Sequence, residues 1–102
     1  MGYRVEVTEA AAAEIDSAYE WIKEGEPDAA VRWYDGLMVA LRSLRDNPRR
    51  CARVRTADLK EPEIRQLIYG RRRGRYCVLF AIHDDTVEVL HVRHGARAPI
   101  HR

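Results

Sequence analysis

The sequence predicts an α+β fold in which an antiparallel helical hairpin packs on a small antiparallel sheet, with the element order β-α-α-β-β-β. Two observations support this. Apolar residues recur every three or four positions in the first half of the chain, as on one face of a helix, and every second position in the last third, as on a strand. Neither apolar face is stable in water, so the helices must cover the sheet.

The length of 102 residues is typical of one domain, which we assign to residues 1–102. With 46% hydrophobic and 33% charged residues, the chain can bury a core and is not expected to be disordered. The amino-terminal segment MGYRVEVTEA has no apolar run typical of a secretory signal, and no window is apolar enough to span a membrane. We therefore expect a cytoplasmic protein.

The first elements are a short strand and a helix. Apolar and polar residues alternate over residues 3–7, which predicts the strand. Thr8 is a suitable N-cap for a helix over about residues 9–24, and Gly25 and Pro27 follow where a helix commonly ends.

A second helix follows almost at once. Pro27 suits its first turn, and Asn47 with Pro48 ends it. Between them the apolar residues form one helical stripe, made of Ala30, Trp33, Tyr34, Leu37, Met38, Leu41 and Leu44. Because the connection is so short, the two helices should pack as an antiparallel hairpin.

Residues 48–62 have no clear period, and three strands are predicted after them, over 63–69, 75–83 and 86–93. Asp84-Asp85 forms the turn between the last two. The segment Gly70-Arg71-Arg72-Arg73-Gly74 is the tip of the first hairpin. Strands joined by turns this short are antiparallel neighbours.

The net charge of +2 conceals an asymmetry. Five basic and ten acidic residues precede Pro48, whereas thirteen basic and six acidic residues follow from it, so the two parts carry −5 and +7. Only two of the basic residues are lysines, and arginine binds carboxylates and phosphates through two parallel hydrogen bonds. The second part of the chain is therefore expected to bind an acidic partner.

Neither a metal nor a cofactor is predicted. The two cysteines, Cys51 and Cys77, form no CxxC motif. The four histidines have no cysteine or carboxylate at the spacing of a zinc site; they are His83, His91, His94 and His101.

Several segments together resemble the ParE/RelE superfamily of type II toxin–antitoxin toxins. They are the opening YRVEVTEAA, the helix pattern W-Y-x-x-L-x-x-A-L-x-x-L-x-x-x-P, the strands IRQLIYG and RYCVLFAI, and the ending VEVLHVRHGAR. The resemblance covers Tyr3 to Arg97, and the carboxyl-terminal third is its most specific part. It implies a bacterial toxin that is neutralised by an antitoxin whose disordered segment folds on the toxin surface.

The superfamily has two branches, and the resemblance implies a different activity for each. ParE-like members poison DNA gyrase, whereas RelE-like members cut messenger RNA on the ribosome. Metal-free RNA cleavage requires an acid or base and arginines near the developing phosphate charge. RelE-like nucleases have basic residues on the second strand, an arginine after the tyrosine of the third strand, an arginine past the last strand, and a tyrosine or histidine near the carboxyl terminus.

This chain matches that nuclease pattern only in part. Arg65 and Arg97 occupy two of the arginine positions, but Cys77 follows Tyr76 where the third arginine is expected. We therefore favour a gyrase-inhibiting ParE-like toxin that is not an enzyme. The alternative is a ribonuclease whose catalytic residues would be Arg65, His91, His94 and Arg97. A third possibility is a non-toxic module that binds nucleic acid through its basic residues.

The antitoxin is expected on the sheet. Alternation puts Cys77, Leu79 and Ala81 on one strand face, which we interpret together with Leu67 as an apolar strip bordered by arginines. An acidic amphipathic segment would suit it, and Leu79→Asp would then abolish antitoxin binding. The residues predicted to bind partners are Arg65, Leu67, Arg71, Arg72, Arg73, Leu79, Arg93 and Arg97.

Overall fold

Two helices cover one face of a five-stranded sheet in the computed structural model, which describes residues 2–55, 63–71 and 74–95. The strand order in the sheet is β1-β5-β4-β3-β2. The elements are β1 (Arg4–Val7), α1 (Glu9–Gly25), α2 (Pro27–Arg42), β2 (Ala52–Arg53), β3 (Ile64–Tyr69), β4 (Tyr76–His83) and β5 (Thr86–His94), with 3-10 turns at Ser43–Arg45 and Pro48–Arg50. The predicted α+β class is confirmed.

Both helices begin where the sequence predicts. The Thr8 hydroxyl accepts a hydrogen bond from the Ala11 amide at 3.1 Å and donates one to the Val89 carbonyl at 2.9 Å, so the N-cap also ties α1 to the sheet. Pro27 opens α2 without losing a hydrogen bond that the helix needs. The second helix ends at Arg42, earlier than predicted, and a 3-10 turn continues the chain so that Leu44 still reaches the core.

The sheet is mixed, which corrects the prediction of an antiparallel one. β3, β4 and β5 are antiparallel neighbours as expected, but β1 pairs in parallel with β5, from Arg4 opposite Thr86 to Val7 opposite Val89. The rule that short turns make antiparallel pairs does not apply to β1, because both helices lie between it and the other strands. The segment predicted to be irregular also contributes a short strand, β2, paired with β3.

A β-bulge in β5 changes which residues face the helices. Phe80 lies opposite Val89 and Leu79 lies opposite His91, so Leu90 is an extra residue. As a result Val89 and Val92 both pack into the core under the helices. His91 and Arg93 therefore lie on the other face of the strand.

The register also separates residues that the sequence analysis grouped together. Leu67 lies opposite Val78, on the helix side of the sheet, and packs against the main core. Leu79 lies opposite Gln66 and faces the other way. Assigning Leu67 and Leu79 to one strip was therefore wrong, because the pairing of β3 with β4 offsets their alternation by one residue.

Cores form on both sides of the sheet. The larger lies under the helices and contains Leu37, Val78 and Phe80, all fully buried. The smaller lies on the opposite face and consists of Ile64, Cys77, Leu79 and Ala81, with Val54 and Leu90 packed against them. Since β4 is buried on both faces, it is the central strand of the fold.

The two predicted turns differ in how much of them is described. At Asp84-Asp85 the backbone of Asp84 is left-handed, with φ of 54°, a conformation that aspartate tolerates better than most residues. Gly70 begins the other tip with φ of 92°, where a side chain would strain the backbone. Arg71 is exposed at this tip, whereas Arg72 and Arg73 lie outside the described residues.

Gly36 marks a close approach between α2 and β3. A Cβ atom at this position would collide with the Tyr69 hydroxyl, which donates a hydrogen bond to the Trp33 carbonyl at 2.9 Å. We expect Gly36→Ala to lower the free energy of unfolding by about 1 kcal/mol, because overpacking of about 1–3 kcal/mol exceeds the helix propensity gained. Urea unfolding monitored by circular dichroism measures this change in the free energy of unfolding.

The control for Gly36→Ala is Gly25→Ala, since nothing lies within 4 Å of a Cβ at Gly25. That variant should keep or raise the stability. Tyr69→Phe should remove most of the penalty of Gly36→Ala. If the penalty is the same in both backgrounds, the hydroxyl is not its cause.

Candidate functional site

Arg65, the basic residue predicted on the second strand, is held by contacts within the protein. Its guanidinium donates hydrogen bonds to the Cys51 carbonyl at 2.6 Å, the Arg49 carbonyl at 3.1 Å and the Glu63 carboxylate at 2.8 Å. Its side chain is only 14% exposed. These contacts attach the loop before β2 to β3, so Arg65 has a structural role in this conformation.

Glu63 is the centre of this network. Its carboxylate also accepts two hydrogen bonds from Arg49, at 3.0 and 3.1 Å, and Arg49 donates a third to the Tyr3 hydroxyl at 2.8 Å. The hydrogen bonds from Arg49, and then the hydrogen bond from Arg65, lower the pKa of the Glu63 carboxyl. The amino-terminal segment, the loop before β2 and the start of β3 are thereby joined.

The lowered pKa of Glu63 predicts a pH-dependent contribution to stability. The folded state favours the carboxylate form of Glu63. Its contribution to the free energy of unfolding is therefore fully present above about pH 4.3, the pKa of a glutamate in the unfolded chain. It is lost as the pH falls through the lower pKa of the folded state. We expect Glu63→Gln to be less stable than the wild type at pH 7, and the difference to shrink below about pH 4.

Urea unfolding of both proteins between pH 2.5 and 7 measures this difference. Glu6→Gln is the control, because Glu6 and its partner Arg4 are 56% and 73% exposed and such pairs contribute little. A stability difference for Glu63→Gln that does not change with pH would contradict the assignment.

Cys77 occupies the position at which the nuclease pattern has an arginine. It is 2% exposed, and its Sγ donates a hydrogen bond to Gln66 Oε1 at 3.0 Å. Burial raises the pKa of the thiol to about 11, so the group is neutral at physiological pH. A buried neutral thiol can neither bind a phosphate nor stabilise its developing charge.

Leu79 and Ala81 are buried as well, at 1% and 0% exposure. The interpretation of this face as an exposed docking strip is therefore wrong. Alternation gives the relative orientation of side chains but does not say whether other parts of the chain cover them. Here the face forms the smaller core.

His91 and Arg93 meet a carboxylate that the sequence analysis did not identify. Glu14 of α1 lies 3.2 Å from His91 Nδ1 and 3.6 Å from Arg93 Nε. It also accepts a hydrogen bond from the Val92 amide at 2.8 Å. Glu14 thus connects α1 to the edge of β5 beyond Val89, where β1 no longer pairs with it.

His94 lies on the opposite face of β5 from His91. Its ring packs edge-on against Tyr76, with centroids 5.2 Å apart, and its register partner is also Tyr76. Because three residues separate them on a regular stretch of strand, His91 and His94 are not brought together as an acid–base pair. Arg97, the remaining residue of the predicted catalytic set, lies outside the described residues.

A groove of 830 Å³ lies between α1 and the end of β5, and we call it the α1–β5 groove. Its residues are Ala13, Glu14, Ser17, Ala18, Trp21, Tyr76, Val92, Arg93 and His94. Trp21 is 69% exposed, an unusually large apolar surface for a tryptophan.

The sequence analysis missed Glu14 and Trp21 as groove residues. The signal that was available is their helical spacing, since Glu14, Ser17 and Trp21 lie three and four residues apart, beside the buried stripe of α1. What could not be read from the sequence is that β5 passes next to that stripe.

Within the described ranges, no three histidine, cysteine, aspartate or glutamate side chains are placed to hold a metal ion. No helix in the same ranges is long and apolar enough to cross a membrane.

The fold and these surfaces define a small α+β domain with a helical hairpin on a mixed sheet, a basic carboxyl-terminal half and a groove beside its first helix. A family model described as the ParE toxin of type II toxin-antitoxin system, parDE, matches residues 5–99. Because this is nearly the whole chain, the protein belongs to the ParE toxin family. The resemblance inferred from the sequence motifs is confirmed.

A solved structure agrees with the family assignment at the level of the fold. A chain described as "Chromosomal ParDE TA system from P. aeruginosa" superimposes with a TM-score of 0.71 at 17% sequence identity. The alignment covers 90% of this chain and 95% of that chain. The comparison of the sequence with curated proteins finds no significant match.

Proposed function

We propose that this ParE-family toxin stops growth by binding and inhibiting DNA gyrase, and that it does so without catalysing a reaction itself. The observation that carries the proposal is the buried Cys77 at the centre of the sheet, where RNA cleavage would need an arginine. Gyrase is the target that the resemblance to ParE-like toxins implies, and the family match over residues 5–99 supports it.

The contacts of the other candidate residues also favour binding over RNA cleavage. Arg65 is occupied by Glu63 and two backbone carbonyls, so aiming it at a phosphate would break three hydrogen bonds. His91 and His94 lie on opposite faces of β5. A single phosphodiester could not contact both without a rearrangement of the strand.

The partner that neutralises the toxin is proposed to be an acidic antitoxin. The similar structure from P. aeruginosa is described as a ParDE toxin–antitoxin system. In this chain the charge of +7 from Pro48 onward favours a partner rich in carboxylates. Such a partner would associate faster at low ionic strength.

The test is a supercoiling assay with purified toxin, gyrase, ATP and relaxed plasmid. We expect loss of supercoiling with increasing toxin, and linear DNA after denaturation if cleaved complexes are trapped. Leu79→Met should keep the fold and is expected to inhibit gyrase like the wild type. Leu79→Asp should lose the fold and serves as the inactive control. Unchanged supercoiling at a large excess of folded toxin would refute gyrase as the target.

The two alternatives are tested in cells that express the toxin. Primer extension on messages from cells expressing the toxin would reveal cuts linked to codons if the protein were a ribosome-dependent nuclease. Normal growth after induction would favour the non-toxic nucleic-acid-binding module, which should bind naked DNA or RNA with a strong salt dependence.

A further inference from the structure

The solvent-facing side of α2 carries two large apolar side chains. Val31 is 49% exposed and Val39 is 60% exposed, and the eight residues between them span about two turns of the helix. Both point away from Leu37 and Leu41, through which α2 packs into the main core. Valine is an unfavourable residue at an exposed helix position, because it loses rotamer freedom there and leaves apolar surface in water.

The outer face of α1 provides the comparison within the same hairpin. Its positions farthest from the core carry four exposed carboxylates, those of Glu9, Asp16, Glu20 and Glu24. A charged row of this kind is typical of the solvent face of an amphipathic helix. The two valines of α2 therefore depart from the pattern that its neighbour follows.

Charged residues share this side of α2 with the valines, in an order that is symmetrical about Asp35. Asp28 lies seven residues before Asp35 and Arg42 seven residues after it, while Val31 and Val39 lie four residues before and after it. Within the described parts of the chain, Asp28, Asp35 and Arg42 form no ion pair. The exposed residues that form this surface, which we call the α2 outer face, are Asp28, Val31, Arg32, Asp35, Val39 and Arg42.

We propose that two copies of this chain associate through the α2 outer face, as an antiparallel pair of helices whose two-fold axis passes beside Asp35. In this arrangement Val31 of each copy contacts Val39 of the other, and Asp28 of each copy pairs with Arg42 of the other. A two-fold dimer requires a surface that is complementary to itself when it is reversed, and the α2 outer face has this property. The proposal concerns the toxin alone and does not depend on its cellular target.

The repulsive contact in this arrangement is that of Asp35 with its own copy at the axis. Arg32 lies three residues from Asp35 in the chain, so in the reversed helix it comes within about one turn of the Asp35 of the other copy. It can therefore compensate part of the repulsion. Asp35→Asn removes the repulsion itself, and we expect this variant to associate more tightly than the wild type.

The size of the α2 outer face limits the strength of the dimer. A helix of 16 residues is about 24 Å long. Two such helices packed lengthwise bury less than the roughly 1,200–2,000 Å² of a stable complex. We therefore expect reversible association with a Kd on the order of 10⁻⁵ M.

Sedimentation equilibrium of the purified toxin tests the proposal over a range of about 5 to 500 μM, in which mass action shifts such an equilibrium from monomer to dimer. The apparent mass of the wild type should rise from 11.8 kDa towards twice that value. Val39→Lys should stay near the monomer mass, because it puts two lysines into the contact with Val31. Glu20→Gln on α1 is the control, since it changes the net charge by the same amount and should associate like the wild type.

Charge reversal tests the register of the two helices. Asp28→Arg alone sets two arginines against each other at each end of the dimer, and Arg42→Asp alone sets two aspartates against each other. Each variant should therefore associate at least about tenfold more weakly than the wild type. An equimolar mixture of the two variants brings opposite charges together again at both ends, so it should associate within about threefold of the wild type. Circular dichroism checks that each variant keeps its helices, since both reversals oppose the helix dipole.

The outcomes are distinct. A wild-type toxin that stays at 11.8 kDa at the highest concentration overturns the proposal. Association that is equally strong in Val39→Lys would belong to another surface and would overturn it too. If the folded charge-reversal variants do not associate when they are mixed, the antiparallel pairing is wrong. If the wild type is monomeric and Val39→Lys loses the binding of antitoxin or gyrase, the face belongs to that protein and not to a second copy.

Discussion

Leu79→Asp is expected to unfold the protein. The substitution would put an unpaired carboxylate at a position that is 1% exposed, between Ile64, Cys77 and Ala81. Losing the packed leucine and burying a charge should together cost at least about 4 kcal/mol. Small domains are stable by only about 5–15 kcal/mol, so most of the protein would be unfolded or close to it. Urea unfolding monitored by circular dichroism measures the loss.

Two controls separate unfolding from a lost contact. Leu79→Met preserves volume and should cost less than about 1.5 kcal/mol. Ile68→Asp puts the same charge on the same face of the neighbouring strand, but Ile68 is 46% exposed and pairs with Cys77, so we expect a much smaller loss. A Leu79→Asp protein with the wild-type urea midpoint would contradict the burial argument.

Glu14→Ala is expected to have the next largest effect. It leaves the Val92 amide without its hydrogen-bond acceptor and removes the carboxylate that pairs with His91 and Arg93. Loss of a partner for a half-buried donor costs about 1–3 kcal/mol, and the Arg93 guanidinium also loses the carboxylate that lies 3.6 Å from it. We therefore expect a drop of about 2 kcal/mol in the free energy of unfolding, together with faster amide exchange at Val92.

The matched variants for Glu14→Ala distinguish its two roles. Glu14→Gln keeps an oxygen acceptor for the Val92 amide and removes only the charge, so it should recover part of the loss. Glu20→Ala removes an exposed carboxylate from the same helix and should change the stability by less than about 0.5 kcal/mol. Equal losses for Glu14→Ala and Glu20→Ala would refute the role of Glu14 at the strand edge.

The local elements of this protein could be predicted because they depend on neighbouring residues. Thr8 caps the first helix through an amide three residues away, and Pro27 begins the second at its first position. The apolar segment from Tyr76 to Ile82 predicts β4 within one residue of its bounds. The same short patterns, joined in order along the chain, were sufficient to identify the toxin family.

The sequence alone therefore determined the helices, the three carboxyl-terminal strands and the family. Only the tertiary structure decided which surfaces are open. The pairing register put Leu67 and Leu79 on opposite faces, and the bulge at Leu90 put Val89 and Val92 on the same face. Glu14 contacts β5 from 78 residues away in the chain. The physical reason is that periodicity fixes side-chain directions within one element, whereas burial and charge pairing depend on which distant element packs against it.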